Sequence, residues 1–334
     1  SLRAQYGGPA AAPAAPAGAQ RVETTLQSQG ISSVYDPSQD ARPAAQAQAP
    51  AAAKDAAGPP RALTASQVDT SDMRVFLMRP GPLPGEGAIQ CHIRREKGSM
   101  GYPSYSLWLE GEGGPGSRDG ARFLLSARKR KKSKTSNYLI SLDEDDLTRQ
   151  SGNYFGKLRS NFVGTEFTIY DKGVKPKEAE ASAGVSQLAA RAELGAVMYQ
   201  YNVLGTRGPR KMTALVPEVS AAGQRYVFRP ENDKDCMLKK FKDEGDSTGM
   251  VVLRNKPPKW NEVMQAYCLN FNGRVTQPSV KNFQLVAENN REHTILQFGK
   301  VDKDVFTMDY AFPMSALQAF SICLSAFDNK LACE

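Results

Sequence analysis

The sequence predicts a mainly β (α+β) fold, an antiparallel barrel or sandwich, on three observations. Short runs alternate apolar and polar residues, as in "YSLWLE" (105–110), "NYLISL" (137–142), "EFTIYD" (166–171), "VMYQYNV" (197–203) and "YCLNFNG" (267–273). These runs, with "FQLVAEN" and "TILQFGK" behind them, are separated by Gly, Pro, Asn and Asp. Many short strands at close spacing are the mark of a β-sandwich or barrel. The third observation is "PMSALQAFSICLSAF" (313–327), which has no charged residue and no polar face. A helix apolar all round must be enclosed, and this one is too short to span a bilayer. Read as a helix starting near Pro313, it favours a closed sheet with the C-terminus inside it; a second core strand is the alternative reading.

In chain order, residues 1–71 precede the folded domain. In "ARPAAQAQAPAAAKDAA" (41–57) ten of seventeen residues are Ala, broken by Pro. Such a stretch cannot bury enough surface to offset its ordering entropy, so disorder is expected over 1–71 and a domain over 72–334. The mixed segment "QRVETTLQSQGISSVYDPSQ" is the part of the tail suited to fold against a partner. Further on, "EGEGGPGSRDG" (110–120) reads as a loop and no phosphate cradle, since it opens no helix and lacks a Gly-Lys-Ser/Thr ending. "VSQLAARAEL" (185–194) has good helix formers and is expected to be helical.

The charge is unevenly placed. Residues 1–70 hold five basic and five acidic side chains, which leaves 38 basic and 30 acidic from 71 onward and puts the whole +8 there. A domain with concentrated positive charge meets polyanions, either nucleic acid or lipid headgroups. Five scattered cysteines without a C-x-x-C pair argue against a disulfide framework and a zinc site. With no Asn-x-Ser/Thr acceptor, secretory leader or spanning apolar run, the expectation is a soluble, monomeric protein of a reducing compartment. No metal or cofactor is expected. His92 and His293 are the two histidines, neither in an H-E-x-x-H pattern, and no catalytic residue is assigned.

Several longer stretches resemble one family. "FNGRVTQPSVKNFQ" (271–284) and "ALQAFSICLSAFDNKLACE" (316–334) look like the two motifs of the tubby-like proteins. "DVFTMDYAFP" (304–313), "NVLGTRGPRKM" (202–212) and "KSKTSNYLISLDEDDL" (132–147) match in order. The resemblance covers roughly 72–334 and leaves out the Ala/Pro-rich start, where the F-box of plant members is not seen. It implies a closed barrel of about twelve strands around a central hydrophobic helix. It also implies a non-enzymatic membrane adaptor that binds phosphatidylinositol 4,5-bisphosphate at the inner plasma membrane. Some animal members link membrane receptor cargo to the cilium through intraflagellar transport complex A. An older proposal makes the family nucleic-acid-binding transcription regulators released to the nucleus.

The headgroup directs attention to "FGKLRSN" (155–161). Lys157 and Arg159 are two apart in a strand-like run, so they share a face at roughly 6–7 Å. Lysine is a compact charge able to sit between two phosphates, and arginine's fork holds one bidentately. By itself such a pair is also what an ordinary solvated strand presents. The resemblance supplies the role: the family's headgroup-binding Lys-x-Arg pair falls on Lys157 and Arg159, its asparagine on Asn137, and a further arginine on Arg191 in the expected helical segment.

The run "RKRKKSK" (128–134) is a separate matter. Arg128, Lys129, Arg130, Lys131, Lys132 and Lys134 lie on both faces of a hairpin and cannot form one pocket. Near an anionic leaflet each adds on the order of 1 kcal/mol of salt-screened attraction, so the run reads as membrane steering, with a nuclear-localisation signal as the competing reading. "DEDD" (143–146) lacks calcium-loop spacing and reads as a solvated turn that points away from lipid. Non-specific nucleic-acid binding fits the charge, yet the sequence shows no helix-turn-helix, zinc finger or RNP-type strand.

Overall fold

Twelve antiparallel strands close on themselves around one helix in the computed structural model, which describes residues 31–35, 60–98, 102–131, 133–182, 189–200, 211–261 and 266–328. The strands, with two outside the barrel at the start, are β1 (Ile31–Tyr35), β2 (Ala62–Leu63), β3 (Ala88–Glu96), β4 (Ser104–Leu109), β5 (Arg122–Lys129), β6 (Asn137–Ser141), β7 (Tyr154–Ser160) and β8 (Glu166–Asp171). They continue as β9 (Glu193–Tyr199), β10 (Met212–Pro217), β11 (Met250–Asn255), β12 (Lys259–Asn261), β13 (Ala266–Asn270), β14 (Phe283–Ala287), β15 (Asn290–Asp302) and β16 (Val305–Tyr310). Helices α1 (Met73–Met78), α2 (Pro176–Ser182), α3 (Met237–Asp243) and α4 (Ala316–Ala326), with a 3-10 turn at Asp233–Asp235, complete the described elements.

Strands β3 to β11 and β14 to β16 each pair with the next, and β16 returns to β3 with Val305 opposite Arg94 and Tyr310 opposite Ile89. Closure leaves no unpaired edge in the barrel wall. The alternation read from the sequence decides the faces. In β3 Ile89, Cys91 and Ile93 enter the core, as Leu125 and Ala127 do in β5. "YCLNFNG" does form a strand, β13, but it pairs with β1 and β12 in a separate three-stranded sheet.

Helix α4 fills the barrel, and all of its residues are buried. Its polar groups are handled locally. Ser315 Oγ accepts from the Gln318 amide while Gln318 Oε1 accepts from the Ser315 amide, a reciprocal cap. Gln318 Nε2 also donates to the Leu194 carbonyl at 2.7 Å, tying the helix to β9. Because Ser315 is the cap, the helix starts at Ala316 rather than at Pro313. Phe327 follows and packs its ring on Tyr105, Phe298 and Phe306.

Two expectations need correction. The folded unit reaches back before residue 72: β2 pairs in parallel with β3, Thr70 is buried, and Leu63, Ala65 and Val68 pack on the core. Three apolar residues, too few for a sustained periodic signal, make this contact, and β1 pairs with β13 from further upstream. The helix expected over 185–194 is not formed where the chain is described. Residues 183–188 lie outside the described residues, and Glu193 already begins β9. The amides of Arg191, Ala192 and Glu193 donate to Val174 O, Asp171 Oδ1 and Phe228 O, so none is left for a helical bond. Helix propensity yields here to tertiary pairing. The described helix nearby is α2, at Pro176–Ser182.

Candidate functional site

The outer wall at β6–β7–β8 brings the expected site residues together. Asn137 lies opposite Arg159, and Lys157 lies between Leu139 on β6 and Tyr170 on β8. Lys157 and Arg159 point outward because Gly156, Leu158 and Ser160 take the inner face. Gly156 is needed there, since a Cβ would come within 2.7 Å of the Tyr170 carbonyl and reach Leu317 of α4.

Burial divides the pair. Arg159 is exposed, whereas Lys157 is only 7 % exposed. Its ammonium sits 5.3 Å from the centre of the Tyr170 ring, and the Arg191 guanidinium carbon sits 4.1 Å from the same ring. Two cations thus share one aromatic platform. Arg191 arrives from the extended segment before β9, so the expected helical mounting is corrected to a strand approach.

The electrostatics are one-sided. Burial first, then the charges of Arg191, Arg149 and Arg159, lower the Lys157 pKa to about 8, opposed by Glu178. Among the described residues no acceptor lies in hydrogen-bonding reach of its ammonium. The buried Arg191 Nη1 and Asn137 Oδ1 have no hydrogen-bond partner among the described residues, nor has Tyr154 Oη on the same strand as Lys157. Unpaired buried polar groups are costly, and mutually repelling cations beside them form a setting in which a polar anion would be favourable. A phosphate would satisfy the cations, and a ring hydroxyl would donate to the Asn137 oxygen.

Tyr170 and Arg149 were not singled out from sequence. Tyr170 is legible in retrospect only through register, as the residue facing Lys157 across β7–β8. Arg149 comes from the β6–β7 connection and is ion-paired at 3.7 Å to Glu178 of α2. No local pattern announces that contact.

The basic run borders this site, in the connection between β5 and β6. Ser136 and Ser160 exchange hydrogen bonds, which lashes the connection to the end of β7. Arg128, Arg130, Lys131 and Lys134 are exposed, and Lys132 lies outside the described residues. Lys129 differs. It follows Leu125 and Ala127 on the inward face and faces Tyr138 across the ladder. Its ammonium pairs with the buried Asp328 at 3.3 Å, so it closes the barrel end and is withdrawn from the expected steering set. The "DEDD" turn sits at the other end of β6, folded on itself by Asp143 Oδ1 accepting from the amides of Asp145 and Asp146.

Other polar features lie apart from these residues. Arg274 is bound to both Glu110 and Asp309 beneath the loop that follows β13. His92 beside them is fully buried, and desolvation lowers its pKa to about 4. A cavity of about 630 Å³ touches Arg61, Lys256, Trp260, Asn270, His293 and Asp309, and none of the four expected site residues. Among the described residues no three His, Cys, Asp or Glu side chains gather as a metal site, and no helix is long and apolar enough to cross a membrane. Cys91, Cys236, Cys268 and Cys323 are unbridged.

A twelve-stranded closed barrel threaded by a wholly buried C-terminal helix, with a cationic cluster on its outer wall, defines a tubby-type domain. The chain belongs to the Tub family, whose profile matches residues 78–329. It is 49 % identical over 265 residues to Tubby-related protein 2 of Mus musculus, covering 78 % of this chain and 45 % of that protein. It is 45 % identical over 270 residues to Tubby-related protein 3 of Homo sapiens, covering 80 % and 59 %. Tubby protein homolog 1 of Caenorhabditis briggsae is 46 % identical over 253 residues, covering 73 % and 58 %. The chain spans about half the length of these relatives.

Proposed function

We propose that this protein is a non-enzymatic phosphoinositide-binding adaptor whose outer-wall site holds the headgroup of phosphatidylinositol 4,5-bisphosphate at the cytosolic leaflet. The observation that carries the reading is the buried Lys157, which has no ion-pair partner among the described residues and shares the Tyr170 ring with Arg191. Lys157 bridges the two phosphates, Arg159 and Arg191 each take one, and Asn137 takes a ring hydroxyl. Arg128, Arg130, Lys131 and Lys134 add diffuse attraction that orients the domain on an anionic surface. Attachment to the inner plasma membrane is then peripheral and reversible, and cleavage of the lipid releases the protein. Carriage of receptor cargo to the cilium through intraflagellar transport complex A is the broader role that the family resemblance suggests.

Co-sedimentation at physiological salt tests the reading. Wild type is compared with Lys157→Ala/Arg159→Ala on vesicles containing phosphatidylinositol 4,5-bisphosphate and on phosphatidylserine vesicles of equal charge. Selective binding that the double variant loses is expected. Equal binding to both vesicles by both proteins would refute the pocket and leave bulk charge as the cause. The nucleic-acid reading would then lead.

A further inference from the structure

The hairpin tip between β7 and β8, next to the proposed headgroup site, carries two apolar side chains that the headgroup reading does not use. Phe162 is 74 % exposed, more than any other large apolar side chain among the described residues, and its neighbour Val163 is 40 % exposed. Scattered exposed apolar residues need no explanation, but adjacent ones at a rigid tip do.

The tip is built to hold them outward. Asn161 Oδ1 accepts from the amides of Gly164, Thr165 and Glu166 at 2.8, 3.0 and 3.3 Å, and its Nδ2 donates to Thr165 Oγ1. The Asn161 amide donates to the Glu166 carbonyl, which closes the hairpin. Gly164 supplies the left-handed turn at φ +88°. Internally bonded amides lower the cost of taking a loop out of water, since backbone groups in lipid find no solvent partner.

Its surroundings specify the partner. Arg159 stands three residues before Phe162, and the Ser160–Ser136 bonds place the basic connection 130–136 alongside. The acid nearest in sequence, Glu166, is ion-paired with Lys242 and presents no free negative charge to a membrane. An apolar tip flanked by cations matches the layering of an anionic bilayer, with phosphates outside and acyl chains beneath.

We propose that the Phe162–Val163 tip enters the interfacial zone of an anionic lipid bilayer while the Lys157 site engages a headgroup. The inference rests on the headgroup reading above. It adds a second, apolar contact that distinguishes a lipid in a membrane from the same phosphates free in solution.

The test uses the full chain and two variants. F162W reports depth by tryptophan emission on vesicles of phosphatidylcholine, phosphatidylserine and phosphatidylinositol 4,5-bisphosphate with brominated acyl chains; wild type, with Trp108 and Trp260, gives the baseline. F162S/V163S is titrated with the same vesicles unbrominated and with soluble inositol 1,4,5-trisphosphate. Insertion predicts a blue-shifted, bromine-quenched signal for F162W beyond the baseline. It also predicts roughly tenfold weaker vesicle binding by F162S/V163S, from the lost apolar burial, with unchanged affinity for the soluble headgroup. Vesicle binding without quenching, or with undiminished affinity in F162S/V163S, overturns the inference. So does equal loss of soluble-headgroup affinity in F162S/V163S, which would make the tip a support of the pocket. Quenching on vesicles that lack the phosphoinositide, without soluble-headgroup binding by wild type, would sustain insertion and sink the headgroup reading. Failure of wild type to bind either would sink both.

Discussion

Replacing Lys157 by Met should stabilise the ligand-free protein while removing its affinity for the headgroup. The folded-state pKa of about 8 lies below the unfolded value near 10.5, so folding at neutral pH must hold a charge in a place that disfavours it. A shift of that size corresponds to about 3 kcal/mol at 1.4 kcal/mol per pH unit. Since the ammonium retains some solvent contact and the Tyr170 face, about 2 kcal/mol is the better expectation. The sign follows from linkage: for a lysine whose pKa is depressed, the penalty is full below about pH 8 and disappears as pH rises toward 10.5. Methionine matches the stem in length and carries no charge, so Lys157→Met should melt higher at pH 7 by roughly 4–8 °C for a domain of this size. The gain should shrink by pH 10, because the wild-type lysine is then neutral too. Inositol 1,4,5-trisphosphate should raise the melting temperature of wild type and leave the variant unmoved. Thermal denaturation by circular dichroism at pH 7 and pH 10, with and without the headgroup, measures all four quantities. A variant less stable than wild type at pH 7, or a difference independent of pH, would refute the account of Lys157 as a group strained for binding.

Three further outcomes are expected. Headgroup binding near pH 8 should take up about half a proton, because an anion raises the Lys157 pKa; calorimetry in buffers of different ionisation enthalpy reads this, and zero uptake would count against Lys157 as the bridging charge. Arg274→Leu leaves Glu110 and Asp309 as buried carboxylates without their common partner and should cost about 3–5 kcal/mol in urea unfolding; a loss below 1 kcal/mol would show that the two acids protonate or rehydrate freely. Arg130→Ala and Lys131→Ala should each weaken vesicle binding by about 1 kcal/mol at low salt, whereas Lys129→Ala, which frees Asp328 inside the barrel end, should lower stability instead. Salt-dependent vesicle titrations beside denaturation curves would separate these effects, and interchangeable behaviour of the three would contradict the inward placement of Lys129.

Much of this architecture was legible in the residues because its signals are local. Alternation along 105–110, 137–142 and 166–171 placed strands, since a period of two is a property of the strand itself. The uncharged run ending at Phe327 required enclosure whatever surrounded it, so a helix within a closed sheet followed before any strand pairing was known. Lys157 and Arg159 share a face for the same reason of period. The strand count, in contrast, came from the resemblance.

Contacts across sequence decided the remainder. "VSQLAARAEL" has the composition of a helix, yet the amides of Arg191, Ala192 and Glu193 are claimed by Val174, Asp171 and Phe228, and long-range bonds outweigh a few tenths of a kilocalorie of propensity per residue. Lys129 looks like its basic neighbours until Asp328, from the far end of the chain, meets it at the barrel mouth. Tyr170 becomes the platform for two cations through the register of β7 on β8, and Arg191 reaches that ring from the extended segment before β9. What the sequence alone determined is the alternation of side chains between two faces, because that depends on backbone geometry within each strand. Which outward side chains meet, and which charges are left without a counter-ion, depends on closure of the sheet, and only the tertiary structure decided it.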